Sequence, residues 1–436
     1  MSSNSRKAPF FKTVCPKGWV VYQSERAWYC FSAEGKIKSS ESVKDILTRA
    51  KALGSWTKQI PDHWQPISTG LDLQVHLRFP GQPQKETLEG GLESALLGGY
   101  DSLVSMPNTQ PFLDTAENLT LAIQNSRELQ AEYPVRIGFA ASATIGMQGQ
   151  TATQIEALAK AGAVAITDDG WGVKSDQAQE EIFAACAATD LLFQQHCEMP
   201  GHKGVTPAGP FQRRFQLPEY PRTAESEMIR RDLRLLRKYP KARYHVLHVS
   251  TKESLVEIER AKSAGLQVTV EVTPHHLFFS NEDIPEPVDP RCTYFKMNPP
   301  LFAPEDRAAL RSALHSGLID AVSTDHAPHE KDLKQKGWLM APFGTRGMET
   351  ALPVLLTLKD TLGLDLKRLD TLFSASPRKI LKHFPEPSGL NFVDLAASHL
   401  IQRDDLPGIS ENSCFLGQTL KGRIEMRVHP ELVYSR

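Results

Sequence analysis

The sequence predicts an α/β fold, a barrel of βα repeats, and three observations carry the prediction. From about residue 70, short β-rich runs alternate with stretches of helical periodicity. The short runs number eight. Histidines and aspartates gather at the C-terminal ends of those runs, which is where a βα barrel places its active site. At 436 residues the chain has room for one such barrel, usually about 250 residues, and an accessory domain of modest size.

In chain order, residues 1–66 precede the alternation. "GWVVYQSERAWYCFSAEGKI" reads as short strands around turns and "ESVKDILTRAKAL" as a helix. The expected barrel strands are 71–77, 102–106, 135–141, 164–167, 191–196, 244–248, 267–272 and 320–323. Between them "ETLEGGLESALLGG", "TAENLTLAIQNSRELQAEY", "ATQIEALAKAG", "QAQEEIFAACAAT", "ESEMIRRDLRLLRKY" and "TKESLVEIERAKSAG" repeat apolar residues at three- and four-residue spacing. Gly162 and Gly265 close two of these, as helix C-termini favour. After Pro385 the tail returns to short strands, "GRIEMRV" among them. The expected division is a barrel over 67–385 and one small β-rich accessory domain built from 1–66 and 386–436. No internal repeat or low-complexity tract appears.

Hydrophobic residues make up 40% of the chain and charged residues 23%, with a formal net charge of -1. No broad field favours nucleic acid or an anionic membrane, so the expected partner is a small molecule. "MSSNSRKAPFF" has no apolar core for a signal segment, and no run of about 18 apolar residues follows; the expectation is a soluble cytoplasmic protein. The six cysteines, at 15, 30, 186, 197, 292 and 414, form no C-x-x-C pair and read as reduced thiols.

Nine of the 14 histidines lie between His196 and His329. Read at the strand ends, the chemistry-bearing residues form a set. His76 and Arg78 end strand one, Asn108 follows strand two, and Asp168 and Asp169 follow strand four. His196 ends strand five, His248 ends strand six, and Asp325 and His329 follow strand eight. Imidazoles and carboxylates so placed suit zinc, which takes nitrogen and oxygen ligands at about 2.0–2.2 Å and in catalytic sites keeps one position for water. His202, His245, His315, His383, His399 and His429 stand alone and read as surface or structural residues. Asn108 and Asn298 adjoin prolines and have a second reading as turn residues.

Ten strings, in order from about residue 70 to 427, resemble the dihydroorotases of the amidohydrolase superfamily: "LDLQVHLRFPGQ", "GGYDSLVSMPNTQP", "ITDDG", "QQHCE", "HVLHVST", "VTPHHLFF", "KMNPPL", "STDHAPHEK", "APFGTRGMETALP" and "NSCFLGQTLKGRI". The resemblance implies a (β/α)8 TIM-type barrel with one or two Zn2+ ions, opening a cyclic amide reversibly in pyrimidine biosynthesis, between dihydroorotate and N-carbamoyl-aspartate. By position it implies His76, Asp169, His196, His248 and Asp325 as metal ligands. Arg78, Asn108, Asn298, His329, Phe343 and Gly344 match substrate contacts, with His76 beside them. Asp325 matches the catalytic residue, general base toward water and then acid toward the leaving ring nitrogen. Arg78 offers the substrate carboxylate a planar fork. Hydantoinases and allantoinases use a carboxylated lysine to bridge two metals. No lysine lies between Ala161 and Val173, so the chain resembles the bacterial branch that uses aspartate. Family spacing favours Asp169, 27 residues before His196, over Asp168.

One residue departs from the pattern. Where the family's first strand carries D-x-H-x-H-x-R, this chain has Gln74 at the first histidine. An amide oxygen is a weaker partner for zinc than imidazole, so one metal position should lose affinity. Three readings follow: two metals with one loose site, one metal, or an inactive scaffold associated with aspartate transcarbamoylase. Another cyclic amidohydrolase, such as an allantoinase, is a further alternative. Phe79 and Phe302 also depart from the family, beside its motifs. Barrel enzymes often pair, and a homo-oligomer is expected.

Overall fold

The computed structural model of the chain describes residues 61, 63–202, 204–382, 384–429 and 432–435, with four strands nearer the N-terminus: Val20–Gln23, Trp28–Phe31, Ile37–Lys38 and Thr57–Gln59. The helix expected over 41–53 lies outside the described residues, as do Cys15 and His383.

All eight expected barrel strands form. They are β1 (Gly70–Val75), β2 (Tyr100–Ser105), β3 (Arg136–Ser142), β4 (Ala165–Thr167), β5 (Leu192–Gln195), β6 (Arg243–Val246), β7 (Val268–Val272) and β8 (Ala321–Val322). They pair in chain order, each parallel to the next. The ring closes just beyond the strand ends. His76 donates its N–H to the carbonyl of His326 at 2.8 Å, and Val75 bridges His326 in parallel. The buried Asp72 carboxylate of β1 accepts from the Thr324 N–H at 3.0 Å and its hydroxyl at 2.5 Å.

The connecting helices follow the apolar spacing, and their starts have a chemical cause. Thr87, Thr115, Ser175 and Thr251 each accept the N–H of the residue three positions on, satisfying one of the free donors of the first turn. The stretch 115–133 forms two helices, Ala116–Asn125 and Arg127–Glu132, rather than one. Ser126 lies between them and donates its hydroxyl to the Ile123 carbonyl, a local bond that competes with helical continuation. Gly162 ends Ile155–Ala161 with φ 105, a conformation that favours glycine.

Leu71, Leu73, Val104, Ala140, Ala165, Leu192 and Ala321 from the barrel strands form an apolar cluster with Ile380 and Leu381 of the helix Ser376–Leu381. Ala165 and Ala321 open their strands, so this packing lies toward the strand starts and leaves the opposite end for the site.

An antiparallel sheet joins Trp64–Ser68 to Leu390–Leu400, Thr419–His429 and Leu432–Ser435. Its two central strands are eleven residues long, where the sequence pattern reads as short strands. Irregularities between Phe392 and Val393 and between Asp394 and Ser398 break the two-residue alternation that makes a long strand legible. The four strands from 20–59 form a separate sheet. Among the described residues no helix is long and apolar enough to cross a membrane.

A buried polar knot ties β2 to the C-terminal segment. Asp101 accepts from Thr69 Oγ1 at 2.5 Å, Arg378 Nη2 at 2.5 Å, and the N–H and hydroxyl of Ser388 at 2.7 and 2.6 Å. Burial alone would push the carboxyl upward, but Arg378, Arg427 and the hydroxyl donors outweigh it and hold the group below the ordinary aspartate range. Such a group stabilises the fold at neutral pH, and the contribution is lost as pH falls through its depressed folded-state pKa. Asp101→Asn should therefore lose about 3–5 kcal/mol at pH 7, the cost of breaking a buried pair. In urea melts the gap from wild type should narrow once the pH is well below 3.8, the ordinary value of the group.

Candidate active site and metal centre

Apart from Asp168, every residue that the sequence singles out as a candidate ligand or substrate contact lines one cavity of about 700 Å³ at the C-terminal end of the barrel. His76 and Arg78 arrive just past β1, Asn108 past β2, Asp169 past β4, His196 past β5, His248 past β6, and Asp325 and His329 past β8. Asn298 comes from the segment after β7, and Phe343 and Gly344 from a loop beyond β8. Three of these sit on left-handed backbone despite having side chains: Arg78 at φ 60, His248 at φ 31 and Asp325 at φ 48. Sparsely populated backbone of this kind clusters where geometry serves a site, and nothing in residue identity signals it.

Two groups of ligand atoms converge, each within 4.8 Å of one another: Asp169, His196 and His248 in one, His76, Asp169 and Asp325 in the other. Asp169 belongs to both. Its Oδ1 lies 3.6 Å from His196 Nδ1 and 3.8 Å from His248 Nε2, while its Oδ2 lies 3.1 Å from His76 Nε2. Among the described residues Oδ2 has no aligned hydrogen-bond donor in spite of that short distance, and the ring nitrogens of His196 and His248 meet at 3.1 Å. Buried nitrogens and oxygens facing inward, with an oxygen left unsatisfied, are donor sets that a divalent cation fits.

The adjacent aspartates divide their work. Asp168 Oδ1 accepts the N–H groups of Ala143 and Thr144 at 2.9 and 3.0 Å, and Oδ2 accepts the Thr144 hydroxyl. It anchors the loop after β3. Burial raises its pKa to about 6, opposed by those donors. Asp169 is driven the other way. Burial again pushes up, but the histidines around it prevail and hold it well below the usual range. Burial also works against charge on His76 and His196, yet Asp169 with Asp325 raises His76 to about 9, and Asp169 with Glu198 raises His196 to about 10.

A ring of further contacts sets orientation. His76 Nδ1 meets Asn108 Oδ1 at 2.9 Å, which leaves Nε2 toward Asp325 at 3.0 Å. Arg78 donates from Nε to the Pro328 carbonyl at 3.0 Å and from Nη2 to His329 Nε2 at 3.1 Å. Burial, then the neighbouring Arg78, keeps His329 well below the ordinary histidine range, so it is a neutral acceptor. Gly344 has φ 131, and a β-carbon there would lie 2.8 Å from that of Ala327, so this loop position requires glycine.

Several contributors escaped the sequence reading. Glu198 lies 3.4 Å from His196 Nε2 and accepts from Asn298 Nδ2 at 2.7 Å, an outer carboxylate on a candidate ligand histidine. Its signal was present, two residues after His196. Asn412 accepts the His329 N–H and donates to the carbonyls of Ala327 and Gly344, pinning both loops. His276 Nε2 is 3.1 Å from the Pro299 carbonyl beside Asn298. Lys296 Nζ donates to Ala341 O at 2.6 Å and lies 4.6 Å from the Phe343 ring centroid. Trp171 and Phe112 face one another edge-on within the cavity lining. The isolated histidines serve elsewhere: His245 meets Glu271 at 3.1 Å, His202 meets Glu227 at 3.4 Å, and His315 Nδ1 meets the Leu362 carbonyl at 3.0 Å. Phe302 packs edge-on to Tyr220, with Arg222 over its ring.

Residues 67–254 match the family model described as dihydro-orotase-like. The chain is 41% identical over 366 residues to the dihydroorotase of Geobacillus sp. (strain WCH70) and 44% identical over 369 residues to that of Bacillus subtilis (strain 168). Each alignment covers 82% of this chain and 84% of the relative. The chain belongs to the dihydroorotase family. Solved structures agree on the fold of this dihydroorotase-family barrel. The L-hydantoinase (dihydropyrimidinase) from Arthrobacter aurescens superposes with a TM-score of 0.79 at 23% identity, covering 93% of this chain and 92% of that one. The Saccharomyces cerevisiae dihydroorotase, solved in complex with 5-fluoroorotic acid, gives 0.65 at 19% identity, covering 82% and 98%.

The two aspartates of this family member should separate cleanly on substitution. Asp168→Asn should lower stability by about 1–3 kcal/mol through its backbone donors and leave metal content unchanged. Asp169→Asn should abolish metal retention. Urea denaturation and elemental analysis of the same two preparations test the pair.

Proposed function

We propose that the chain is a Zn2+-dependent dihydroorotase, opening the ring amide of dihydroorotate to N-carbamoyl-aspartate and catalysing the reverse closure. Family membership supports the reaction. The observation that carries the site assignment is the meeting, in one cavity, of Asp325, Arg78 and the two ligand groups that share Asp169. Imidazole and carboxylate donors suit zinc among the divalent ions.

His76, Asp169, His196, His248 and Asp325 would hold the metal. Bound there, it would polarise the ring carbonyl and lower the pKa of water toward neutrality. Asp325 takes the proton from the attacking water as the carbon–oxygen bond forms, and returns it to the ring nitrogen as the carbon–nitrogen bond breaks. His76 Nε2, 3.0 Å from Asp325 Oδ1, sets the direction of that carboxylate. Arg78, steadied by Pro328 and His329, presents the rest of its guanidinium to the substrate carboxylate. Asn108, Asn298 and His329 supply further polar contacts to the ring. Phe343 and Gly344, on the loop pinned by Lys296 and Asn412, cover the site and limit water.

The same reading takes the barrel as 67–385 and the accessory domain as 1–66 with 386–436, in a soluble cytoplasmic homo-oligomer. Gln74 favours one second reading, a dihydroorotase-like scaffold for aspartate transcarbamoylase without turnover of its own.

Assays with dihydroorotate in both directions decide between them. Asp325→Asn should lose at least about 100-fold in kcat, the lower range for removing a general acid–base group. Arg78→Lys should raise KM about tenfold, because an ammonium cannot reproduce the planar fork. Metal-loaded protein that turns over neither dihydroorotate nor allantoin, and copurifies with a transcarbamoylase, would replace the enzyme with the scaffold.

A further inference from the structure

Gln74 is fully buried on β1, two residues before His76, and its side chain reaches the shared carboxylate. Nε2 donates to Asp169 Oδ1 at 3.1 Å, while Oε1 has no hydrogen-bond partner among the described residues. The orientation has a chemical cause. An ionised carboxylate only accepts, so the amide must turn its NH2 group toward it and its oxygen away. Oδ1 is also the oxygen that faces His196 and His248, at 3.6 and 3.8 Å. The residue replacing the family's first histidine thus reaches the Asp169 oxygen on the His196 and His248 side.

We infer that Gln74 is a positioning residue for Asp169 rather than a metal ligand, so that the chain holds one divalent ion tightly, among Asp169, His196 and His248, and a second only loosely, among His76, Asp169 and Asp325. This rests on the metal-dependent reading above and deepens it. The two positions are unequal in kind. The first has two imidazoles, one of them oriented from outside by Glu198 at 3.4 Å. The second has one imidazole and two carboxylates, and Asp169 already serves the other ion. Borderline-soft zinc gains more from nitrogen than from a shared carboxylate oxygen. A histidine at 74 would add the missing nitrogen, whereas the glutamine's donated hydrogen bond fixes the bridging carboxylate instead.

The test is a metal count on the full-length chain, read independently of turnover. Metal-free protein is titrated with Co2+, following its visible absorption, and parallel zinc-loaded samples are desalted and analysed for bound metal. Wild type should retain one zinc per chain, with a second Co2+ equivalent bound at least about tenfold more weakly, the size of effect that loss of an outer contact alone produces. Gln74→His should retain two. Gln74→Met, close in shape but without the amide, should still bind one ion at the tight position but about tenfold more weakly than wild type, because Asp169 loses its positioning donor; this keeps the test decisive if the histidine variant fails to fold. Two tightly held ions in wild type, or a Gln74→Met variant that binds its ion as tightly as wild type does, would overturn the inference while leaving the metalloenzyme reading intact. A wild-type chain that binds no Co2+ at all would overturn both.

Discussion

The carboxylate of Asp169 is the point on which the rest of the site depends. It is an ionised group with almost no exposure, and a charge removed from water persists only where donors or cations surround it. Here the surroundings come from far apart in sequence: His76 and Gln74 from the first strand, His196 from beyond the fifth, His248 from beyond the sixth. No two neighbouring elements could supply them. The closed ring of strands is what brings them within reach, so the stability of the charge and the closure of the barrel are one requirement. Asp168 makes the neighbouring backbone rigid by binding the loop after β3, which leaves its partner free to face inward.

Around that centre, neighbouring side chains set the orientation of the histidines. Asn108 meets one nitrogen of His76 and leaves the other for Asp325; Glu198 does the same for His196. Two buried lysines, Lys296 and Lys334, donate to carbonyls between residues 339 and 342 and hold the loop that carries Phe343. Burial lowers Lys296 to about 8. The cavity is shaped by these supports as much as by its lining.

Much of this was legible in sequence because its signals are local. Eight short β runs, apolar residues at three- and four-residue spacing, and glycines behind two of the helices each report on a few neighbouring residues. The split of the helical stretch 115–133 and the length of the two C-terminal strands were not legible, since a single serine bond and two β-irregularities alter the pattern without changing its composition. Glu198 and Asn412 stood inside strings that resemble the family, yet their work is to bond groups elsewhere in the chain, and spacing alone does not show a contact.

By itself the sequence determined the class of fold, the family resemblance, the residue types available for metal and acid–base chemistry, and the substitution of glutamine at position 74. Only the tertiary structure decided which adjacent aspartate faces the histidines, that Gln74 turns its amide hydrogens toward that aspartate, and that Arg78, His248 and Asp325 sit on left-handed backbone. The physical reason is range. Propensity and periodicity act within a turn or a strand, whereas the direction of a buried side chain is set by whichever charges and donors the closed barrel brings against it.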